Sequence, residues 1–463
     1  MFIMRKATFN KAKLNKPKTK KIAMPEIDTS ILWDVAVIGG GPAGMMAAGR
    51  AAENGAKVIL IEKNESLGKK LLITGGGHCN VTNAEFDNRK LLEKFKENNK
   101  FLFSAFSQWS VKETLDFFNN RKMETKVEAM QRVFPKSDQA RSVWNVLVEY
   151  MKQTGVTVIS NSPVIGFATR DTKEKDKNKQ KIHKEIVAVK LKGNIHIRAN
   201  HFILATGGKS HPETGSTGEG FEWLKQLGHT IIEPSASLVP IAVSDLWVKQ
   251  LQGVTLQNVK ISLWQNDIKH AAKIGRVLFT HFGLSGPTIL NLSSEVSELL
   301  KYGEVKITID IMPEFDYGQL NAKLQEVFKE HSNKKIVNGL STIMLPSIAQ
   351  IVMDLSEIDP ATPNHSVTRE QRLLLVQLLK AIPLQVKELL GVEKAIVTSG
   401  GVQLDEIDFK TMQSRLYPNL SIIGDVLNID RPSGGYSLQL CWTTGFVAGN
   451  SIKVTEVISS ELS

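Results

Sequence analysis

Gly39, Gly41 and Gly44 stand at the spacing GxGxxG between a β-patterned run, DVAVIGG, and small residues that read as a helix over 43–54. Each glycine has its own reason there. Gly39 permits a tight turn, Gly41 lets a diphosphate approach bare backbone, and Gly44 lets helix and strand pack closely. The helix start, with Pro42 and Ala43, would aim unpaired N–H groups and the positive end of its dipole at phosphates. Alone, the fingerprint is weak. Glu62, 18 residues after Gly44 at the end of the next strand (57–62), strengthens it, because a carboxylate there accepts both hydroxyls of an adenosine ribose. Lys63 beside it joins the expected set.

Two further segments select FAD over NAD. The run FILATGG (202–208) is a strand ending in Thr206, Gly207 and Gly208, small enough for backbone to pass close to a flat cofactor. The run SIIGD (421–425) is a strand ending in Gly424 and an acceptor, Asp425, suited to the ribityl hydroxyls that NAD lacks. Gly434 and Gly435 then precede a helix from about Tyr436, whose N-terminus would face the N1/O2 edge of a flavin and stabilise negative charge on the reduced ring. Val164, opening a strand at 164–168, completes the cofactor set. No second strand–GxGxxG–helix unit appears: Gly215, Gly218 and Gly220 in GSTGEG have another spacing and no strand directly before them. A dedicated NAD(P)H domain is not expected.

The candidate reacting groups are Cys79, His281 and the turn 398–401. Cys79 lies in a glycine-flanked loop expected to line the flavin, where a thiol could donate a proton or attack covalently. The alternative is a small side chain packed beneath the cofactor. His281, in FTHFGLSGP, could orient a substrate carbonyl or be a hydrogen-bonded structural histidine.

These residues need a scaffold, and the pattern supplies an α/β one. Residues 31–228 read as the first part of a Rossmann-like FAD/NAD(P)-binding domain, with the lysine-rich stretch 171–184 as a hairpin loop between strands. Residues 229–312 carry β-patterned runs (LVPIAV, VKISLW, RVLFT, VKITIDI) and read as an inserted β-subdomain. Residues 313–392 turn to helical spacing, clearest in LLLVQLLKAI and VKELLG. Glycine-punctuated α/β texture returns over 393–463, so the cofactor domain is discontinuous.

The matching blocks VIGGGPAGMMAA, ESLGKKLLITGGGHCNVTN, RVFPKSDQA, ATGGKSHPETGSTGEGF, FTHFGLSGP, VTSGGV and GDVLNIDRPSGGYSLQLCWTTG resemble the BaiN-type family of bacterial FAD-dependent oxidoreductases across residues 33–451. The resemblance implies that the insert is a β-barrel plus helices. It places Lys70, Thr74, Gly75, Gly76, Gly77, Asn80, Asn83 and Gln439 around FAD; a reductase built this way would take NADH or NADPH as transient reductant. His78 stands where the family usually has Arg, Asp425 where it often has Glu, and Asn428 where it often has Asp. The Asp keeps an acceptor but shortens its reach.

Composition narrows the remaining classes. Two cysteines among 463 residues, Cys79 and Cys441, form no CxxC pair and fit a reducing cytoplasm. The ten histidines show no ligand spacing, so no metal is expected. The most apolar stretch, 31–48, holds Asp34, glycines and Pro42 and is not a membrane span. Residues 1–30 carry eight Lys/Arg against Glu26 and Asp28, more than half of the net +11. This basic segment reads as a solvated, disordered tail or as an arm for nucleic acid.

The resemblance implies three activities: reduction of uridine to dihydrouridine in ribosomal RNA, steroid-ring oxidoreduction, and amine oxidation. The positive charge favours ribosomal RNA as partner. An oxidase or dehydrogenase of a small amine, ketone or steroid-like molecule is the alternative.

Overall fold

The structure is a computed structural model that describes residues 28–176, 179–391 and 397–453. The basic segment 1–30 therefore lies, apart from residues 28–30, outside the described residues.

The run DVAVI becomes part of the strand Leu32–Ile38, buried from Val35 onward. It is central in a sheet ordered Ile407–Asp408, Gln413–Ser414, Leu420–Ile422, Ile195–Leu204, Leu32–Ile38, Val58–Ile61, Thr157–Ile159. Register decides where a site can form. Ile38 pairs in parallel with both Ile61 and Leu204, and Leu204 with Ile422, so four strands end level. The residues that follow them, Gly39, Glu62, Ala205 and Ile423, emerge along the carboxyl edge, where open α/β sheets bind ligands.

Two helices, Pro42–Glu53 and Tyr436–Asn450, back this edge and approach very closely. A Cβ on Gly445 would stand 2.5 Å from the Ala43 carbonyl oxygen, and one on Gly449 2.5 Å from that of Ala47. The helix Tyr436–Asn450 thus completes a layer begun at the first glycine turn.

The lysine-rich stretch is not the expected loop. Strands Val164–Asp176 and Lys179–Leu191 pair antiparallel from Val164↔Leu191 out to Asp176↔Lys179, and the second pairs with Ile195–Leu204. Ladder hydrogen bonds come from the backbone, so a ribbon can continue through residues with no apolar face.

Antiparallel strands Ile231–Ser237 and Val397–Val402 carry the chain out to the insert and back. The insert is a closed barrel of six strands: Ile241–Val243, Gly283–Ser285, Ile268–Phe279, Thr255–Gln265, Lys306–Asp310 and Ile382–Leu389. Helices Tyr317–Glu330, Ile336–Leu340, Pro346–Ser356 and Arg369–Lys380 lie between the last two strands in chain order. VKELLG, expected as helix, instead belongs largely to the closing strand. Ile382, Leu384 and Val386 alternate inward there, a period of two that the neighbouring leucines obscure. Barrel and helices share one core, including Ile261, Ile307, Leu320, Leu324, Leu375 and Leu384, separate from that of the sheet. Among the described residues no helix is long and apolar enough to cross a membrane.

Candidate functional site

A cleft, partly open to solvent, runs along the carboxyl edge. From the glycine turn and the second strand it gathers Gly39, Gly41, Pro42, Ala43, Glu62 and Lys63. From later segments it gathers Lys70, Thr74, Val164, Thr206, Gly207, Gly424 and Asp425. Gly44, Gly75, Gly76, Gly77, Asn80, Asn83, Gly208, Gly435, Tyr436 and Gln439 lie outside its wall, as do Cys79 and His281.

The three fingerprint glycines separate by cause. Gly39 has φ +105° and no room, since a Cβ would lie 2.5 Å from the Ala205 carbonyl oxygen. Gly44 is equally constrained, because its Cβ would run into the Gly39 carbonyl oxygen. Gly41 has an ordinary backbone, φ −77° and ψ −179°, and a Cβ there would meet nothing within 4 Å. The fold itself does not demand a glycine at 41. Gly41 caps a helix that has Pro42 at its first position and no side-chain cap, so the start of the helix lies open on this space. An anion brought against this helix start would require the missing side chain.

Glu62 is buried and held in place. Its Oε2 accepts from Gly40 N at 2.8 Å, and its Oε1 accepts from Asn64 N and Asn64 Nδ2, both at 2.8 Å. A carboxylate so anchored presents its remaining lone pairs to diol hydroxyls without losing side-chain entropy. Lys63 Nζ turns away from it to Thr217 Oγ1 at 2.7 Å and Glu219 Oε2 at 2.6 Å.

Asp425 forms an ion pair with Arg431, whose guanidinium is fully buried and also donates to Ile429 O at 2.7 Å and Ser437 Oγ at 3.1 Å. Arg431 did not stand out in the sequence. Its only signal is a cation placed six residues after the expected ribityl acceptor. Lys70 lies close by: burial pulls its ammonium pKa down, and the Asp425 carboxylate partly opposes this. Its Nζ donates to Ser210 Oγ at 3.1 Å. The second unforeseen component is the segment Thr214, Gly215, Ser216, Thr217, Gly218 and Glu219, which lines the cleft although its glycines match no dinucleotide fingerprint.

The loop block behaves differently. Thr74–Gly77 forms a short turn with Gly75 and Gly76 in the left-handed region. Thr82 Oγ1 donates to Gln439 Oε1 at 2.6 Å, and Gln439 Nε2 reaches Thr114 and Thr443, so Gln439 is a buried lock between loop and final helix. Asn83 Nδ2 bonds the carbonyls of Met130 and Gly434. A Cβ on Gly435 would collide with the Thr82 backbone, and Tyr436 packs edge-on against Phe95.

Cys79 takes φ +61°, which turns its thiol into the hydrophobic core of the sheet domain. Burial pushes its pKa up to about 12, against a hydrogen bond with Thr74. His78, its neighbour, is 59 % exposed with Nδ1 4.0 Å from Asp138 Oδ1. His281 is exposed on the barrel beside Phe282.

The residues fit a flavin adenine dinucleotide. Besides the open space at Gly41, the Thr206 hydroxyl in the cleft wall is buried without a hydrogen-bond partner in the protein, as are Asn80 Oδ1 and Ser433 Oγ. Buried polar atoms of this kind call for a partner.

Comparison with known proteins agrees. The family described as HI0933-like protein Rossmann domain matches residues 33–451. The 3-dehydro-bile acid delta(4,6)-reductase of Clostridium scindens is 28% identical over 424 residues, covering 90% of this chain and 98% of that protein. The ribosomal RNA dihydrouridine synthase of Escherichia coli is 27% identical over 423 residues, covering 91% and 98%. Among solved structures, the 3-ketosteroid delta1-dehydrogenase of Sterolibacterium denitrificans shares the fold, with a TM-score of 0.52 at 12% identity over 91% of this chain and 99% of that one.

Proposed function

We propose, from the premise that this chain belongs to the HI0933-like protein Rossmann domain family, that it saturates a carbon–carbon double bond conjugated to a carbonyl, in a uridine of ribosomal RNA. The chain is an FAD-dependent oxidoreductase. The reading is that it takes electrons from NADH or NADPH and acts in the cytoplasm.

The observation that carries the reaction type is what the names of two relatives have in common. Dihydrouridine formation and reduction of a 3-keto delta(4,6) steroid both add hydrogen across a double bond conjugated to a carbonyl. The charge favours RNA: the chain is net +11, with eight cations in its first thirty residues. Phosphate contacts of that kind bring a polyanion to the surface without reading its sequence.

When bound, FAD supplies two-electron hydride chemistry at the flavin ring. The chain's own residues would hold it: Glu62 the ribose hydroxyls, the N-terminus of Pro42–Glu53 the diphosphate, and Asp425, paired with Arg431, the ribityl chain. The first turn of the helix Tyr436–Asn450, which reaches the cleft through Ser437 and Leu438, would offer its positive dipole to the ring. A uracil base would have to leave its stack to reach the cleft. Hydride then goes to C6 and a proton to C5. Cys79 suits that proton poorly, because a donor must be recharged from solvent and this thiol is walled into the core.

Nucleoside mass spectrometry of ribosomal RNA from a strain lacking the protein tests the substrate. One or a few dihydrouridines should revert to uridine. If none does, the reading passes to a steroid-like enone, which the bile acid relative favours.

A further inference from the structure

The cleft has a wall that no cofactor fingerprint accounts for. Residues 210–218 cross its mouth between the strand Ile195–Leu204 and the helix Glu219–Gln226, and three side chains of the opposite wall tie this crossing down. Lys63 Nζ donates to Thr217 Oγ1 at 2.7 Å and pairs with Glu219 Oε2 at 2.6 Å. Asn64 Nδ2 donates to the Thr214 carbonyl at 3.1 Å. Lys70 Nζ donates to Ser210 Oγ at 3.1 Å.

Apart from Ser210 none of these residues is buried, and the crossing has one short turn, Pro212–Thr214, as its regular structure. Gly207, Gly215 and Gly218 take φ of +73°, +109° and +86°, conformations that glycine adopts without strain. A thin segment without a core, held by polar ties, belongs to the part of a protein that opens locally before the rest. Asn64 adds a coupling. The amide that holds Thr214 also donates to Glu62 Oε1 at 2.8 Å, so the carboxylate facing the ribose and the crossing share one side chain.

We infer that residues 210–218 form a strap latched over the adenosine end of the FAD site by Lys63, which holds Thr217 of the strap and is itself fixed by Glu219 at the start of the following helix. Lys63 and Asn64 are its positioning residues, and FAD leaves only after the latch opens. The inference rests on the assignment of FAD to this cleft.

The test is the rate of FAD release from the loaded protein, followed by the return of FAD fluorescence after dilution. Lys63→Met and Glu219→Gln should each release FAD about fivefold faster, equivalent to about 1 kcal/mol for a partly exposed ion pair. The double variant should be no faster than the faster single, because both remove one latch. Lys63→Arg should restore a rate near wild type, and apoprotein melting temperatures should be unchanged. Glu219→Gln is decisive in sign. If Lys63 acted directly on the cofactor, freeing it from Glu219 would slow release, so slower or unchanged release in that variant overturns the strap. A wild-type protein that bound no FAD would overturn the cofactor site as well; normal binding with unchanged rates overturns the strap alone.

Discussion

Gly41→Ala should separate the needs of the fold from those of the cofactor. The added methyl meets no protein atom within 4 Å, and φ −77°, ψ −179° is an allowed conformation for alanine. Alanine is a poorer N-cap than glycine by roughly 0.5 to 1 kcal/mol. Its smaller unfolded-state entropy returns about 0.4 to 1 kcal/mol, so apoprotein stability should barely move. Cofactor affinity should fall steeply. The methyl occupies the approach to the first-turn N–H groups, and losing two hydrogen bonds to a charged diphosphate, at about 1.5 to 3 kcal/mol each, weakens FAD by at least about a hundredfold. Gly44→Ala is the contrasting variant. Its Cβ runs into the Gly39 carbonyl oxygen, so it should destabilise the apoprotein by about 1 to 3 kcal/mol whether or not FAD is present. Apoprotein melting and FAD titration by fluorescence quenching read the two effects separately. Gly41→Ala binding FAD within about threefold of wild type would refute the argument that an anion, and not the fold, excludes a side chain at 41.

Cys79→Ala should lower stability by roughly 1 kcal/mol, as a small core truncation does, and leave both flavin reduction and substrate reduction intact. A selective loss of substrate reduction, with flavin reduction by NAD(P)H preserved, would make the thiol the acid after all. His201 predicts an acid-labile seam between the strands Ile195–Leu204 and Leu420–Ile422. Burial pulls its imidazole down to about 4, while its neutral ring shares a hydrogen bond with Ser421 Oγ at 2.9 Å. The unfolded chain, with a histidine pKa near 6.5, takes up a proton first as pH falls. The contribution of the neutral ring is therefore complete above about 6.5 and is lost toward about 4, on the order of 3 kcal/mol in all. Urea unfolding of wild type and His201→Gln at pH 7 and pH 4.5 checks this; equal losses in both proteins would remove His201 as the cause.

The convergence of the glycine turn, Glu62 and the later strand ends on one cleft was legible because its signals are local. A strand period, a glycine turn and an acceptor at a strand end each sit within a few residues, and the level ends of four strands bring Gly39, Glu62, Ala205 and Ile423 together. What escaped depends on tertiary context. The segment 210–218 was set aside because GSTGEG was compared with a dinucleotide fingerprint, whereas Gly215 and Gly218 shape a turn on the cleft wall. Arg431 becomes meaningful only once Asp425 is seen beside it. The left-handed backbone at Cys79, which decides whether the thiol faces cleft or core, is imposed by the surrounding loop and has no sequence signature. The closing barrel strand Ile382–Leu389 lay next to a strongly helical run, and leucine-rich neighbours masked its alternation.

The close contact of Gly445 and Gly449 with the first helix also sets a schedule for synthesis. The strand Ile195–Leu204 and its neighbour Leu420–Ile422 are separated by more than two hundred residues, most of which form the insert. At roughly 5 to 20 residues per second, a ribosome needs about 10 to 40 s to cross that gap. During this interval the insert, with its own core, can fold while the glycine turn waits beside an unfinished sheet. Its cofactor edge is completed only when the helix Tyr436–Asn450 leaves the exit tunnel, so a chain truncated before that helix should emerge colourless.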